Sequence, residues 1–218
     1  MIELRDVSKS FREPNGKERI IFKDLNFHIP VGAGSAAILG RSGAGKTTLL
    51  RILAGLDIDY SGSYLYSGSL LPKRSSVMAA HRLSSIGYIT QYYDLLSDRN
   101  VLHNVAMGTS YNPNAITHAY MCLELVGLPD FGKKHIRDLS GGEAQRVAIA
   151  RALVKNPRIV LADEPSGAMD EETENSMLDL FDTCKSKGII IIIATHNHAV
   201  ANRCDVRFSI ENNRMKLI

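Results

Sequence analysis

Residues 40–48 read GRSGAGKTT, a spacing able to hold a chain of phosphates. Gly40, Gly43 and Gly45 let the backbone wrap tightly and turn its N–H groups inward on an anion. Arg41, Ser42 and Ala44 complete the turn. Lys46 can reach β- and γ-phosphates, the Thr47 hydroxyl can ligate Mg2+, and Thr48 closes the stretch. The bland alternative is a glycine-rich turn with an exposed lysine. The flanks argue against it: residues 36–39 (AAIL) read as a buried strand, and residues 49–54 (LLRILA) suit a helix that Gly55 ends. The positive end of that helix faces the same point. This leaves the kind of nucleotide enzyme open.

Five further features could join such a site. Asp163 and Glu164 follow the apolar strand 158–162, at the carboxyl end where ligands of open α/β sheets bind. One carboxylate there can hold Mg2+, and its neighbour can take a proton from an attacking water; the alternative is two acids opening an exposed turn. Ser140, three residues before Glu143, makes a capping box for a helix over 144–155. Gly141 and Gly142 in its first turn cost roughly 1 kcal/mol each relative to alanine. They make sense if an anion must approach that backbone; otherwise the segment is an ordinary cap. His196 ends another strand and could donate to a phosphate oxygen, or be structural. Gln91, also at a strand end, could meet the metal or the water, or be a polar loop residue. Phe11 could stack on a base or sit in the core or at an edge.

The elements that must position these residues are read from apolar periodicity. Residues 2–11 read as an edge strand with Ile2, Leu4 and Val7 on its apolar side, and residues 20–29 form a second apolar segment. A hairpin is predicted over 62–71, weak helical character over 75–84, and a buried strand over 86–90. Helices are predicted over 100–107, 114–126 and 177–184, a β-branched strand over 188–194, and a closing hairpin around Asn212 and Asn213. Residues 92–156 lack strand–helix alternation and read as a helical subdomain.

With 218 residues, 44% of them hydrophobic and 22% charged, the chain is long enough for a substantial core. The net charge of +3 gives no case for nucleic-acid binding. Cys122, Cys184 and Cys204 stand far apart and are odd in number, so neither a disulfide framework nor a zinc knuckle is indicated. The N-terminus lacks the long apolar core of a signal peptide. The longest apolar run, 189–194, is far short of the roughly 20 residues that cross a bilayer. A role at a membrane must come through a partner.

Taken in order, GRSGAGKTT, Gln91, LSGGE at 139–143, Asp163-Glu164-Pro165, SGAMD at 166–170 and Thr195-His196 resemble the nucleotide-binding subunit of ABC transporters over essentially the whole chain. LSGGE separates that family from other phosphate-loop ATPases. The resemblance implies an α/β fold: a P-loop NTPase core (about 1–91 and 157–218) with a mainly parallel sheet, an N-terminal antiparallel β subdomain, and a helical subdomain (about 92–156). It implies ATP and Mg2+ as ligands, with residues 40–48 as the Walker A loop. Thr47, Asp163 and Gln91 serve the metal, Glu164 is the general base, and His196 the switch histidine. Phe11 takes the place of the aromatic that stacks on adenine. Ser140, Gly141, Gly142 and Glu143 form the signature that binds the ATP of a partner subunit, and Asp170 closes the dimer loop. Two such subunits pair head to tail, beside a membrane permease on the inner, cytoplasmic face. Within the family the chain looks most like the branch of lipoprotein-release, macrolide- or peptide-export and cell-division ATPases.

Four positions depart from the usual pattern: Phe11 for tyrosine, residues 32–34 without the customary glutamate, Met169 for leucine, and Asn197 for aspartate. None removes a residue needed for hydrolysis, so an active ATPase is expected. Its cycle suits either export by the permease or control of an enzyme outside the membrane through a permease-like partner. A soluble ABC ATPase of DNA repair or translation is disfavoured, because the chain has no long coiled-coil insertion and no second ATPase domain.

Overall fold

The computed structural model describes residues 2–109, 114–166 and 170–218. It divides into two compact units, residues 1–81 with 192–218, and Arg82–Ile191. The first begins with β1 (Ile2–Arg12), β2 (Glu18–His28), β3 (Ser35–Leu39), α1 (Lys46–Leu53), β4 (Ser63–Tyr66) and β5 (Ser69–Leu70). Helix α2 (Ser75–Ser85) runs across the boundary. The second unit holds β6 (Ile86–Ile89), α3 (Val101–Ala106), α4 (Ala115–Leu125), α5 (Gly141–Leu153), β7 (Ile159–Asp163) and α6 (Glu171–Ser186). After β8 (Ile190–Thr195), which also crosses the boundary, the first unit closes with α7 (His198–Asn202), β9 (Val206–Glu211) and β10 (Arg214–Leu217).

The α/β expectation holds. In the first unit β2, β1, β4 and β5 form an antiparallel sheet in that order, while β3 pairs in parallel with β9, and β10 folds back on β9. One expectation fails: β1 is not an edge strand but lies between β2 and β4. Its burial also changes phase. Ile2 and Leu4 are buried, then Val7 and Lys9, because the register shifts between Leu4 and Val7, where Asp6 takes φ 50°. A bulge adds one residue and re-aims everything after it. That places Lys9 inside, 6% exposed, where Nζ donates to Asp57 Oδ1 at 3.0 Å and to the Asp59 carbonyl at 2.5 Å. A buried ammonium needs such partners.

In the second unit β6 and β7 pair in parallel, and α3, α4 and α5 pack on one another. Helix α3 is capped by Asn100, whose Oδ1 accepts from His103 N at 2.8 Å. Helix α6 starts six residues earlier than its apolar stripe predicts. Its first turn carries Glu171, Glu172 and Glu174, which favour the helix N-terminus electrostatically without adding an apolar face.

None of the three cysteines forms a disulfide. Burial pushes the Cys122 and Cys184 thiols up to about 11. Lys155, whose Nζ donates to the Arg82 carbonyl at 2.9 Å, moves the other way: burial, with the Arg82 charge second, pushes it from 10.5 down to about 8. Between those values the unfolded chain holds the extra proton, so this lysine makes stability rise with pH from about 8 to 10.5; below pH 8 both states are protonated and the gain is absent. The two thiols act oppositely above pH 9. Urea midpoints of the wild type minus those of Lys155→Met, taken at pH 8 and pH 10, isolate the lysine, and the difference is expected to grow with pH.

Candidate functional site

In the first unit β3 is buried along its whole length and delivers the chain into residues 40–45. The Asp205 carboxylate fixes its start by accepting from Gly34 N at 2.7 Å and Ser35 N at 3.0 Å. At the other end Gly45 is the α1 N-cap, with φ 102°. A Cβ there would lie 2.7 Å from Ile21 Cγ2 and 2.8 Å from Phe22 Cε1, so both the backbone angle and the space demand glycine. Lys46, 7% exposed, folds back over the turn and donates from Nζ to the Gly40 carbonyl at 2.9 Å. Thr47 and Thr48 follow in the first turn of α1. The loop is thus held open as a cradle at a helix N-terminus, the geometry that suits an anion.

A cleft of about 900 Å³ opens beside this loop, lined by Gly40, Arg41, Ser42, Gly43 and Ala44 together with His196. The structure therefore brings the histidine and the phosphate loop together. Asn197, the departure noted beside His196, caps α7: its Oδ1 accepts from Ala199 N at 2.8 Å. An aspartate could cap in the same way, so the substitution leaves this turn intact. Phe11 is 45% exposed, which removes the core alternative, and Lys9 Nζ stands 4.8 Å from its ring centroid. The residue that sequence reasoning missed here is Arg19 on β2, whose Nη2 donates to the Gly43 carbonyl at 3.2 Å. No local pattern flags it, because the partner is 24 residues away.

The second unit carries the remaining residues. Asp163 ends β7 and is 3% exposed; Glu164 follows with φ 46°, in the sparsely populated left-handed region. Strain of this kind collects at functional turns. Gln91 follows β6 and is exposed. Beyond Tyr92, Tyr93 and Asp94 are also left-handed, with φ 65° and 46°, and their carbonyls accept from the Arg151 guanidinium, Asp94 at 2.7 Å. Burial lowers the Arg151 pKa, so α5 offers a desolvated cation to that loop.

The capping box at α5 is complete: Glu143 N donates to Ser140 Oγ at 3.3 Å, and Ser140 N to Glu143 Oε2 at 2.7 Å. That backbone N–H, with Lys134 assisting, holds the Glu143 carboxyl below its ordinary range. The two glycines separate. A Cβ on Gly142 would come within 3.0 Å of Thr173 Cγ2, whereas one on Gly141 would meet none of the described residues within 4 Å. Gly142 serves internal packing; Gly141 leaves its backbone approachable from outside. Asp170 caps α6 by accepting from Thr173 N at 2.8 Å, which lowers its pKa. Gly167, Ala168 and Met169 lie outside the described residues.

A phosphate cradle at a helix start and a rigid LSGGE turn in one chain point to a single family. Residues 22–167 match the sequence profile of the ABC transporter family. The chain belongs to that family. The ABC cassette is 37% identical to the lipoprotein-releasing system ATP-binding protein LolD of Buchnera aphidicola, over 99% of this chain and 96% of that one. It is 36% identical to the cell division ATP-binding protein FtsE of Haemophilus influenzae, over 90% of each. The dimeric ABC transporter cassette MJ0796, in a post-hydrolysis state with ADP and Pi, superposes with a TM-score of 0.88 at 27% identity, over 100% of this chain and 98% of that one. The protein is an ATP-binding, ATP-hydrolysing ABC subunit, with ATP and Mg2+ as its ligands. Thr47, Asp163 and Gln91, the residues expected to serve Mg2+, each offer an oxygen, the kind of donor a hard cation takes. Among the described residues no helix is long and apolar enough to cross a membrane.

Proposed function

We propose that this cassette energises a separate membrane permease that exports or extracts a peptide, lipoprotein or drug. It works on the inner face of the cell membrane as one of two identical subunits paired head to tail. The observation that carries the pairing is the LSGGE turn: it is rigidly capped, yet Gly141 faces open space. Such a turn suits a phosphate brought by another copy. The choice of permease-driven release rests on the likeness to the lipoprotein-releasing ATP-binding protein over nearly the full length of both chains.

In this reading residues 40–48 hold the ATP phosphates, with Lys46 on the β- and γ-phosphates, and Phe11 stacks on adenine. Thr47, Asp163 and Gln91 hold Mg2+, which supplies charge neutralisation on the phosphates when bound. Glu164 accepts the proton of the attacking water and His196 steadies the γ-phosphate. Ser140, Gly141, Gly142 and Glu143 complete the site of the other copy, and Asp170 shapes the dimer loop. The chain is one ATPase domain whose helical subdomain, about 92–156, meets the permease, with the loop after Gln91 as the leading contact.

A second reading is control of an enzyme outside the membrane through a permease-like partner, favoured by the match to the cell-division ATP-binding protein. Affinity purification of the cassette from detergent-solubilised membranes separates the two. A lipoprotein- or peptide-handling permease is the expected partner. A permease-like protein bound to a cell-wall hydrolase supports the second reading instead, and recovery of no membrane protein counts against both.

A further inference from the structure

Gln145 is fully buried in α5, one turn beyond the cap residue Ser140. Its Nε2 donates to the Pro165 carbonyl and also points to Met177 Sδ, 3.1 Å away on α6. Pro165 directly follows Glu164, the residue held at φ 46°. Gln145 Oε1 is buried and meets no donor among the described residues. Burying an amide oxygen unsatisfied is unfavourable, and leucine or methionine would fill the same volume without that cost. Packing alone does not account for a glutamine here.

The surroundings give the amide a mechanical role. The first turn of α5 lies against the first turn of α6, where a Cβ on Gly142 would fall 3.0 Å from Thr173 Cγ2. Thr173 N is in turn held by Asp170 at 2.8 Å. Helix α5 thus meets the start of α6 through Gly142, and through the Gln145 side chain it meets both Pro165, beside Glu164, and Met177 further along α6. We propose that Gln145 is a positioning residue that couples the two ATP sites of the paired cassettes. When the signature turn engages the partner's ATP, α5 shifts, and the amide carries the shift to Pro165 and so to the backbone of Glu164. A residue in a narrow left-handed well redirects its side chain on a small change of φ and ψ. This rests on the head-to-tail pairing and the Glu164 assignment proposed above.

The test uses the full chain and the variants Gln145→Leu and Gln145→Met, which keep the volume and remove the donor to Pro165. ATPase rate is measured against ATP concentration, ATP-driven pairing by sedimentation in a Glu164→Gln background, and folding by melting temperature. Misplacing a catalytic group by a fraction of its reach costs about tenfold to a hundredfold in rate. The expected result is a kcat loss of at least about tenfold, with a Hill coefficient that falls to about 1 from a wild-type value above 1. Pairing should stay within about twofold of wild type, with little change in melting temperature. Unchanged kcat and cooperativity in either folded variant overturns the proposal. So does a loss of rate and pairing together in step with melting temperature, because that marks a scaffold role. A wild-type chain that hydrolyses ATP without cooperativity and never pairs overturns the dimer reading itself, and is distinguished by needing no variant.

Discussion

Glu164→Gln is expected to reduce ATP turnover by about two to four orders of magnitude, the usual contribution of a positioned general base, while ATP binding survives and paired cassettes accumulate. The amide keeps the shape of the side chain and its hydrogen-bonding length but cannot accept the proton of the attacking water. It also leaves the turn alone: φ 46° at this position is a backbone property that glutamine shares with glutamate. The carboxylate proposed to hold the metal, Asp163, buried at the end of β7, is untouched. Binding and chemistry should therefore separate cleanly. The check is phosphate release alongside nucleotide affinity and sedimentation with ATP; phosphate release near the wild-type rate would remove Glu164 from the role of base.

Gly45→Ala should be as damaging, for a reason that lies in the fold rather than the chemistry. Position 45 has φ 102°, which a Cβ disfavours by about 1–2 kcal/mol. The added methyl would sit 2.7 Å from Ile21 Cγ2 and 2.8 Å from Phe22 Cε1, both side chains in the core. Overpacking of that kind costs about 1–3 kcal/mol more. Each kcal/mol lowers the melting temperature of a chain this long by about 2–4 °C, so a fall of about 4–20 °C is expected. Relief requires residues 40–45 to move away from β2, which opens the cradle, so ATP binding should fall with stability. Calorimetry and binding of a fluorescent ATP analogue test both; normal values in both would show that the clash is absorbed elsewhere.

Chemistry confined to a few consecutive residues is legible in the amino-acid sequence alone. The GRSGAGKTT turn, the Ser140–Glu143 box and the hairpin at Asn212 and Asn213 are closed by bonds between near neighbours, and each forms as its residues imply. Interactions between distant residues are not legible in that way. β1 reads as an edge strand because nothing in residues 2–11 says which strands will flank it. Its bulge at Asp6 hides in an apparently regular alternation, and so Lys9 gives no sign of being buried. The N-terminal half of α6 lacks an apolar stripe, so periodicity starts the helix late.

The same division runs through the candidate site. Lys46, Glu164, Asp163 and the LSGGE turn stand out as candidates by residue type and spacing, because phosphate and metal chemistry restricts which side chains can serve. Arg19, Gln145 and Arg151 carry no such mark. Their partners lie 24, 20 and 57–58 residues away, and an arginine or glutamine in a helix or strand reads as surface until folding buries it. Local chemistry in the chain marks the phosphate-binding turn and the candidate reacting groups, and the order of the motifs carries the family. Which side chains hold those groups in place is decided only when tertiary packing takes polar atoms out of water and leaves each to find its partner across the fold.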